Sequence, residues 1–326
     1  MLLAWSLVSP GEPVAVPREG VGGLEAPVQP EAVSPHDRSI PMPLDPLTVT
    51  ADEPRFVAPT RRDRIGRIWA PVSINGQGPF RLVLDTGASH SAITADVAAR
   101  LGISLETDHK VLLRGATGSA TVPLVPIETL EVGDLLMEPK RLPIVPDALG
   151  GAEGILGSDG LANKRIHIDF RRDQISIKRS LGEKAASDFI TIPFKFMRGR
   201  LLVVEATMGG VRTKAIIDTG GQATIGNNAL RDALAERRRR FELEDDLITG
   251  ATLDVQPGSR GITPAIYLGG VLVRNNAMTF ADLVIFKHWK LIEEPTMLVG
   301  MDLLGLLDVL VIDYRRKELQ VKLRRG

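Results

Sequence analysis

Beyond residue 62 the chain is built mostly of short apolar and β-branched runs, broken every few positions by Gly, Pro, Asn or Asp. Runs of this length with a period near two predict strands, and the breakers predict tight turns between them. Ile68-Trp69-Ala70-Pro71-Val72-Ser73-Ile74 leads into Asn75-Gly76-Gln77-Gly78 and then Phe80-Arg81-Leu82-Val83-Leu84, which reads as strand, hairpin turn and strand. The same order returns in Leu201-Leu202-Val203-Val204-Glu205-Ala206-Thr207, Met208-Gly209-Gly210 and Val211-Arg212-Thr213-Lys214-Ala215-Ile216-Ile217. Helical periodicity is confined to two stretches, Thr94 to Leu101 with Thr94 as N-cap, and Asn228 to Arg240. The pattern predicts an all-β protein of barrel-like sandwiches with few short helices.

Both hairpins end on the same tripeptide, Asp85-Thr86-Gly87 and Asp218-Thr219-Gly220. Chance supplies a given tripeptide on the order of 0.1 times in a chain of this length. The surroundings repeat as well. Gly115-Ala116-Thr117 and Gly250-Ala251-Thr252 each fall between β-prone stretches, as the tip of a projecting hairpin would. Ile155-Leu156-Gly157 and Leu298-Val299-Gly300 each place Gly after two apolar residues, and Ile168-Asp169-Phe170-Arg171-Arg172 parallels Ile312-Asp313-Tyr314-Arg315-Arg316. Four landmarks in one order predict a duplicated lobe.

The chemistry follows from the aspartates. Each stands just past a buried strand, where a carboxylate is costly unless something stabilises it. If the two segments pair face to face, like charges a few ångströms apart cannot both ionise, and the pair holds one proton. That is an acid and a base in one place. Gly87 and Gly220, lacking side chains, allow the two turns to approach closely and aim backbone amides at the carboxylates. Taken alone, Thr86 and Thr219 are ordinary turn hydroxyls, and Gly115 to Gly118 fit either a hinged cover or a plain surface hairpin.

The hydrophobic-hydrophobic-Asp-Thr-Gly element, with hydrophobic-hydrophobic-Gly some seventy residues later, resembles the pepsin and retropepsin superfamily of aspartic proteases. The stretch NGQGPFRLVLDTGASHSAITADVAARLGI is most similar to retropepsin-like lobes of bacterial proteins, and the likeness spans residues 62 to 326. It implies the acid protease fold, two homologous six-stranded-type β-barrel lobes with a cleft between them. It implies peptide hydrolysis by water activated between catalytic Asp85 and Asp218, with no cofactor and no metal. Thr86 and Thr219 would bond across the lobe interface, and Gly115, Ala116, Thr117, Gly118, Gly250, Ala251 and Thr252 would cover the substrate. The pattern departs where pepsin-type lobes carry Ser or Thr three positions after the aspartate, since Ala88 and Gly221 stand there. The only tyrosines, Tyr267 and Tyr314, lie outside residues 114–120, so closure of the retroviral kind is implied. A catalytically inactive peptide-binding or scaffolding protein that keeps the fold is the alternative.

Composition narrows the partners. Forty basic residues balance forty acidic ones, which argues against a nucleic acid or an anionic membrane; a peptide or protein substrate is what the resemblance implies. The basic run Arg237 to Arg240 is followed by Glu242, Glu244, Asp245 and Asp246 and reads as a solvated helix end. Aromatic residues are 4 % of the chain, so Val, Leu and Ile must fill the cores, and cysteine is absent. No HExxH, nucleophile elbow, P-loop or dinucleotide fingerprint occurs, and the five histidines lack metal-ligand spacing. His90, five residues past Asp85, is expected to be exposed on its loop.

Half of the 22 prolines fall in the first sixty residues, so residues 1–61 read as an extended, mobile leader, a linker rather than a propeptide. The first lobe then covers 62–183 and the second 184–326, divided at the polar Arg179 to Lys184. The apolar start Met1 to Val8 is far too short to span a membrane and fits either the remnant of a signal peptide or a greasy N-terminus. A periplasmic or exported monomer is the expectation, with a cytoplasmic one as the alternative.

Overall fold

The computed structural model describes residues 6–8, 56–59, 66–132, 135–147, 149–159, 161–198, 200–237 and 242–324, and for 6–8 and 56–59 the backbone pairing alone. Residues 1–9 and 54–326 form one unit; residues 10–53 form another that lies outside the described residues, and with it most of the expected leader. Arg238 to Arg240 of the basic run lie outside them too. Phe56–Pro59, assigned to the leader from composition, is a strand paired with Gln174–Arg179.

Each half delivers its aspartate by the same route. Trp69–Ile74 pairs antiparallel with Gln77–Leu84 across a turn in which Asn75 and Gly76 have φ of 49° and 72°. Asn-Gly tolerates this left-handed geometry, and the turn's twist matches that of the strands. In the second half Leu201–Met208 pairs with Val211–Ile217 across Gly209 and Gly210, at 54° and 84°. Gly154–Leu156 then runs parallel to Gln77–Leu84, with Leu156 opposite Leu84, and antiparallel to Ala92–Thr94. Thr296–Val299 makes the equivalent pair of contacts with Val211–Ile217 and Ile225–Gly226. Gly154–Leu156 and Thr296–Val299, each flanked on both sides, are buried at every position.

The glycine closing each of these strands has a steric reason. A Cβ on Gly157 would stand 2.3 Å from the His90 carbonyl carbon, and one on Gly300 would stand 2.7 Å from the Ala223 carbonyl carbon. The loop that leaves each aspartate passes there, so only a residue without a side chain fits.

These strands belong to two ten-stranded sheets, each with free end strands in the described pairings rather than a closed ring. A third, six-stranded sheet joins the halves. At its centre Lys164–Asp169 pairs antiparallel with Leu307–Asp313, His167 opposite Val311, so equivalent hairpins meet about a pseudo-twofold axis. The polar boundary segment is tied to it: Ser180 Oγ donates to buried Asp313, which also pairs with Arg165 at 2.9 Å. One apolar cluster runs through both halves, from Ile68 to Val321.

Both expected helices are present. Thr94 caps Ala95–Arg100, and Asn227 Oδ1 accepts from Leu230 N to cap Asn228–Glu236. The second is described over Asn228–Glu236 with Arg237 as its C-cap, and the remainder of the expected stretch, Arg238 to Arg240, lies outside the described residues. Two further helices, Val284–His288 and Met301–Leu304, were not legible in the sequence because neither is long enough to display a helical period. Among the described residues no helix is long and apolar enough to cross a membrane.

Candidate active site

Asp85 and Asp218 are both 0 % exposed. Asp85 N donates to Leu156 O at 2.9 Å and Asp218 N donates to Val299 O at 3.0 Å, so each aspartate is anchored to the apolar strand that precedes its half's closing glycine. The following turn then fixes the carboxyl. Asp85 Oδ1 accepts from Gly87 N at 2.8 Å and Ala88 N at 2.9 Å; Asp218 Oδ1 accepts from Gly220 N at 3.1 Å and Gly221 N at 2.9 Å. The absence of a hydroxyl at Ala88 and Gly221 therefore leaves the two carboxyls held alike. Their outer oxygens, Asp85 Oδ2 and Asp218 Oδ2, are buried, and no donor group of the chain reaches either of them apart from the facing carboxyl.

The two turns are locked together by reciprocal hydrogen bonds. Thr86 N donates to Thr219 Oγ1 at 3.1 Å and Thr219 N to Thr86 Oγ1 at 3.2 Å. Thr86 Oγ1 donates on to Ile217 O at 2.7 Å, and Thr219 Oγ1 to Leu84 O at 2.8 Å. Every donor and acceptor in this buried square is satisfied by the opposite half, which makes the square specific as well as stabilising. The approach is close enough that a Cβ on Gly220 would fall 2.3 Å from Asp85 Cγ.

Burial dominates the electrostatics. Loss of water pushes the Asp85 carboxyl well above the ordinary carboxylate range, and the charge of Asp218 pushes it further. Burial raises Asp218 too, against the opposing pull of the Gly221 and Gly220 amides. Both carboxyls are pushed toward the protonated form, and groups coupled in this way titrate as a unit.

The hairpin candidates come together over these turns, and neither is a plain surface loop. Lys110–Arg114 with Ser119–Ile127 forms the first, Glu244–Thr249 with Val255–Ile262 the second. Ala116, at the first tip, is fully buried in an apolar cluster of the second half that includes Ile216, two residues before Asp218. Ala251, at the second tip, is fully buried in a cluster of the first half that includes Val83 and Ala88, which flank Asp85. Each tip thus crosses into the other half. Thr117 Oγ1 donates to Asp254 O at 2.7 Å, Ile285 N donates to Ala116 O at 3.3 Å, and Gly115 packs against Thr252. Gly118 abuts the Asp254 side chain and Gly250 abuts Thr117 Oγ1, in both cases too closely for a Cβ. The outer edge of the first hairpin pairs with Ser6–Val8, Leu7 opposite Leu113.

His90 departs from expectation. It is half-buried rather than exposed, its Nδ1 lies 3.0 Å from Ser89 Oγ, and its backbone is covered by Gly157. Burial lowers its pKa. The loop is pulled in because it crosses the closing glycine, a contact between segments 67 residues apart that local sequence does not display.

Sequence reasoning missed three residues beside the dyad. Tyr314 is 5 % exposed, its hydroxyl has no partner in the chain, and its pKa is raised first by burial and also by the Asp85 charge. Ser158 is equally buried with an unpaired hydroxyl, and the Arg200 guanidinium acts on both Tyr314 and His90. One signal was available: Tyr314 occupies the place that Phe170 holds in the other copy of the repeat, so the duplication gained a hydroxyl on one side only.

Residues 70–159 match the model of a family described as aspartyl protease. The matched stretch includes Asp85, the first projecting hairpin and Gly157, and ends before Asp218. No curated protein matches the chain.

Proposed function

We propose that the chain is a single-chain aspartic endopeptidase of the two-lobed pepsin and retropepsin type, in which Asp85 and Asp218 are the catalytic pair. The observation that carries this reading is the symmetry of the two carboxyls. Each comes from a copy of one strand-turn element, each has its inner oxygen fixed by two amides, and each has a buried outer oxygen that no donor group reaches apart from the facing carboxyl. Those two outer oxygens are placed to grip a water and a scissile carbonyl. The aspartyl protease match over residues 70–159 supports the same chemistry for the first half.

In the mechanism, the ionised carboxyl takes a proton from a water held between the pair while the protonated carboxyl gives its proton to the carbonyl oxygen of the peptide. The water oxygen bonds to the carbonyl carbon, forming a tetrahedral diol. As the C–N bond breaks, the nitrogen receives the proton taken from water and one hydroxyl of the diol returns its proton to the dyad. The products are an acid and an amine, and the pair again holds one proton. The Thr86 and Thr219 square keeps the carboxyls positioned through both steps, and the hairpin tips must part to admit an extended peptide. Both aspartates come from one chain, so a monomer suffices.

The test is cleavage of a diverse peptide mixture from pH 3 to pH 8, read by mass spectrometry, for wild type, Asp85→Asn and Asp218→Asn. Wild type cleaves, and each variant is slower by about a thousandfold or more. Equal cleavage by all three sinks the dyad. Folded wild type that cleaves nothing at any pH supports the non-catalytic peptide-binding alternative.

A further inference from the structure

A pocket of about 420 Å³ lies against the first half's closing turn at Ser158, and most of its remaining wall comes from the second half: Phe196, Arg200, Tyr314, Arg315 and Lys317. Its charged lining groups are all cationic, and no carboxylate lines it. The three cations are exposed side chains. Arg315 Nη1 donates to Ser180 O at 3.1 Å, and Lys317 Nζ stands 5.9 Å from the Phe196 ring, which stacks on Tyr314 at 27°. Arg200 forms no ion pair among the described residues. Three acids directly adjoin lining residues in the chain, and each is engaged elsewhere: Asp159 accepts from Ser91 Oγ at 2.8 Å, Asp313 from Arg165 Nη1 and Ser180 Oγ, and Glu318 from Arg316 Nε and Gln320 Nε2.

Three like charges in a concave site concentrate positive potential, and a bound anion relieves it. Ser158 and Tyr314 add two hydroxyls that are 4 % and 5 % exposed as residues and have no partner in the chain. A buried hydroxyl left unpaired is destabilising, so both gain from an acceptor. An ionised carboxylate supplies acceptor capacity only, and a guanidinium fork matches its two oxygens. The pocket adjoins the dyad, because Ser158 N donates to Ala88 O at 2.9 Å and Ala88 N in turn donates to Asp85 Oδ1 at 2.9 Å.

We propose that this pocket is a substrate subsite for a peptide carboxylate, held by Arg200 and Lys317 with the Ser158 and Tyr314 hydroxyls at its wall. The assignment rests on the peptidase reading for its occupant. The carboxylate comes either from an acidic side chain or from the free C-terminus of the peptide.

The test is fluorescence anisotropy on the Asp85→Asn protein, which binds without turnover. One set of C-terminally amidated peptides carries a single Glu, or Gln in its twin, walked along the sequence. A second set lacks Glu and differs only in a C-terminal acid or amide. One carboxylate-bearing set binds about tenfold more tightly than its neutral twin, equivalent to about 1.4 kcal/mol, and the set that does so identifies the source. Adding Arg200→Gln and Lys317→Gln, both at exposed positions, makes the twins bind alike. Twins that bind alike to the Asp85→Asn protein overturn the proposal, as does a preference that survives in the Gln variants. Carboxylate preference beside a wild type that cleaves nothing leaves the subsite standing and removes the peptidase reading. Cleavage by wild type without carboxylate preference does the reverse.

Discussion

Replacing Gly220 with alanine tests whether the two turns approach as closely as described. The added Cβ would lie 2.3 Å from Asp85 Cγ, 2.4 Å from Oδ2 and 2.7 Å from Oδ1. Unstrained carbon contacts begin near about 3.5 Å, so something must retreat by roughly 1 Å. The Asp85 carboxyl is pinned by the Gly87 and Ala88 amides at 2.8 and 2.9 Å. The second turn is pinned by the threonine square, whose four cross-half bonds run from 2.7 to 3.2 Å. Either way a well-made set of hydrogen bonds is distorted, and overpacking of this kind costs about 1–3 kcal/mol of stability. The catalytic consequence is larger, because displacing a reacting group by about 1 Å reduces rate by about a hundredfold. The measurements are a urea unfolding midpoint at pH 7 and kcat/KM on a reporter peptide found in the mixture experiment. The stability readout stands even without a cleavable peptide. A Gly220→Ala protein with the wild-type midpoint would refute the close approach of the turns.

Other expectations follow from the same geometry. Burial raises the folded-state pKa of both aspartates, so their contribution to stability is full below the unfolded carboxylate value of 3.8 and is lost as pH rises through the folded value, about 6 for Asp218. Asp218→Asn should therefore flatten the fall in urea midpoint between pH 4 and pH 7 and be more stable than wild type at pH 7; an unchanged slope contradicts the shared proton. Thr219→Val removes the donor to Leu84 O and the acceptor for Thr86 N, both buried, and should lower stability by about 2–4 kcal/mol in urea. Thr117→Val breaks the bond to Asp254 O between the hairpin tips. Amide exchange should then quicken at residues 115–118 and 250–254 while the strands carrying the aspartates keep their protection; uniform exchange would show that the tips do not open independently.

Much of this architecture was legible because its signals are local and occur twice. Asn75-Gly76 and Gly209-Gly210 mark their hairpins, Thr94 marks a cap, and the apolar-apolar-Gly strands follow from continuous apolar runs. Repetition turned each weak signal into a stronger one, since the same landmark in the same order is hard to produce by accident. The short helix at Val284–His288 escaped for the opposite reason: five residues carry little more than one helical turn. His90 was misplaced because its burial comes from Gly157, far along the chain.

The sequence by itself determined the two carboxyls, the turns that present them and the glycines beside them, since backbone conformation and strand burial depend on neighbouring residues. It also fixed the pseudo-symmetry, because each half carries a full set of landmarks. Apart from the threonine bonds that the family resemblance implied, only the tertiary structure decided what crosses between halves. The threonine square, the exchange of Ala116 and Ala251 between the two apolar clusters, and the cationic pocket all join residues from opposite halves. Their partners are set by how two similar surfaces dock, through contacts between residues far apart in the chain, and a side chain's local pattern carries no record of that docking.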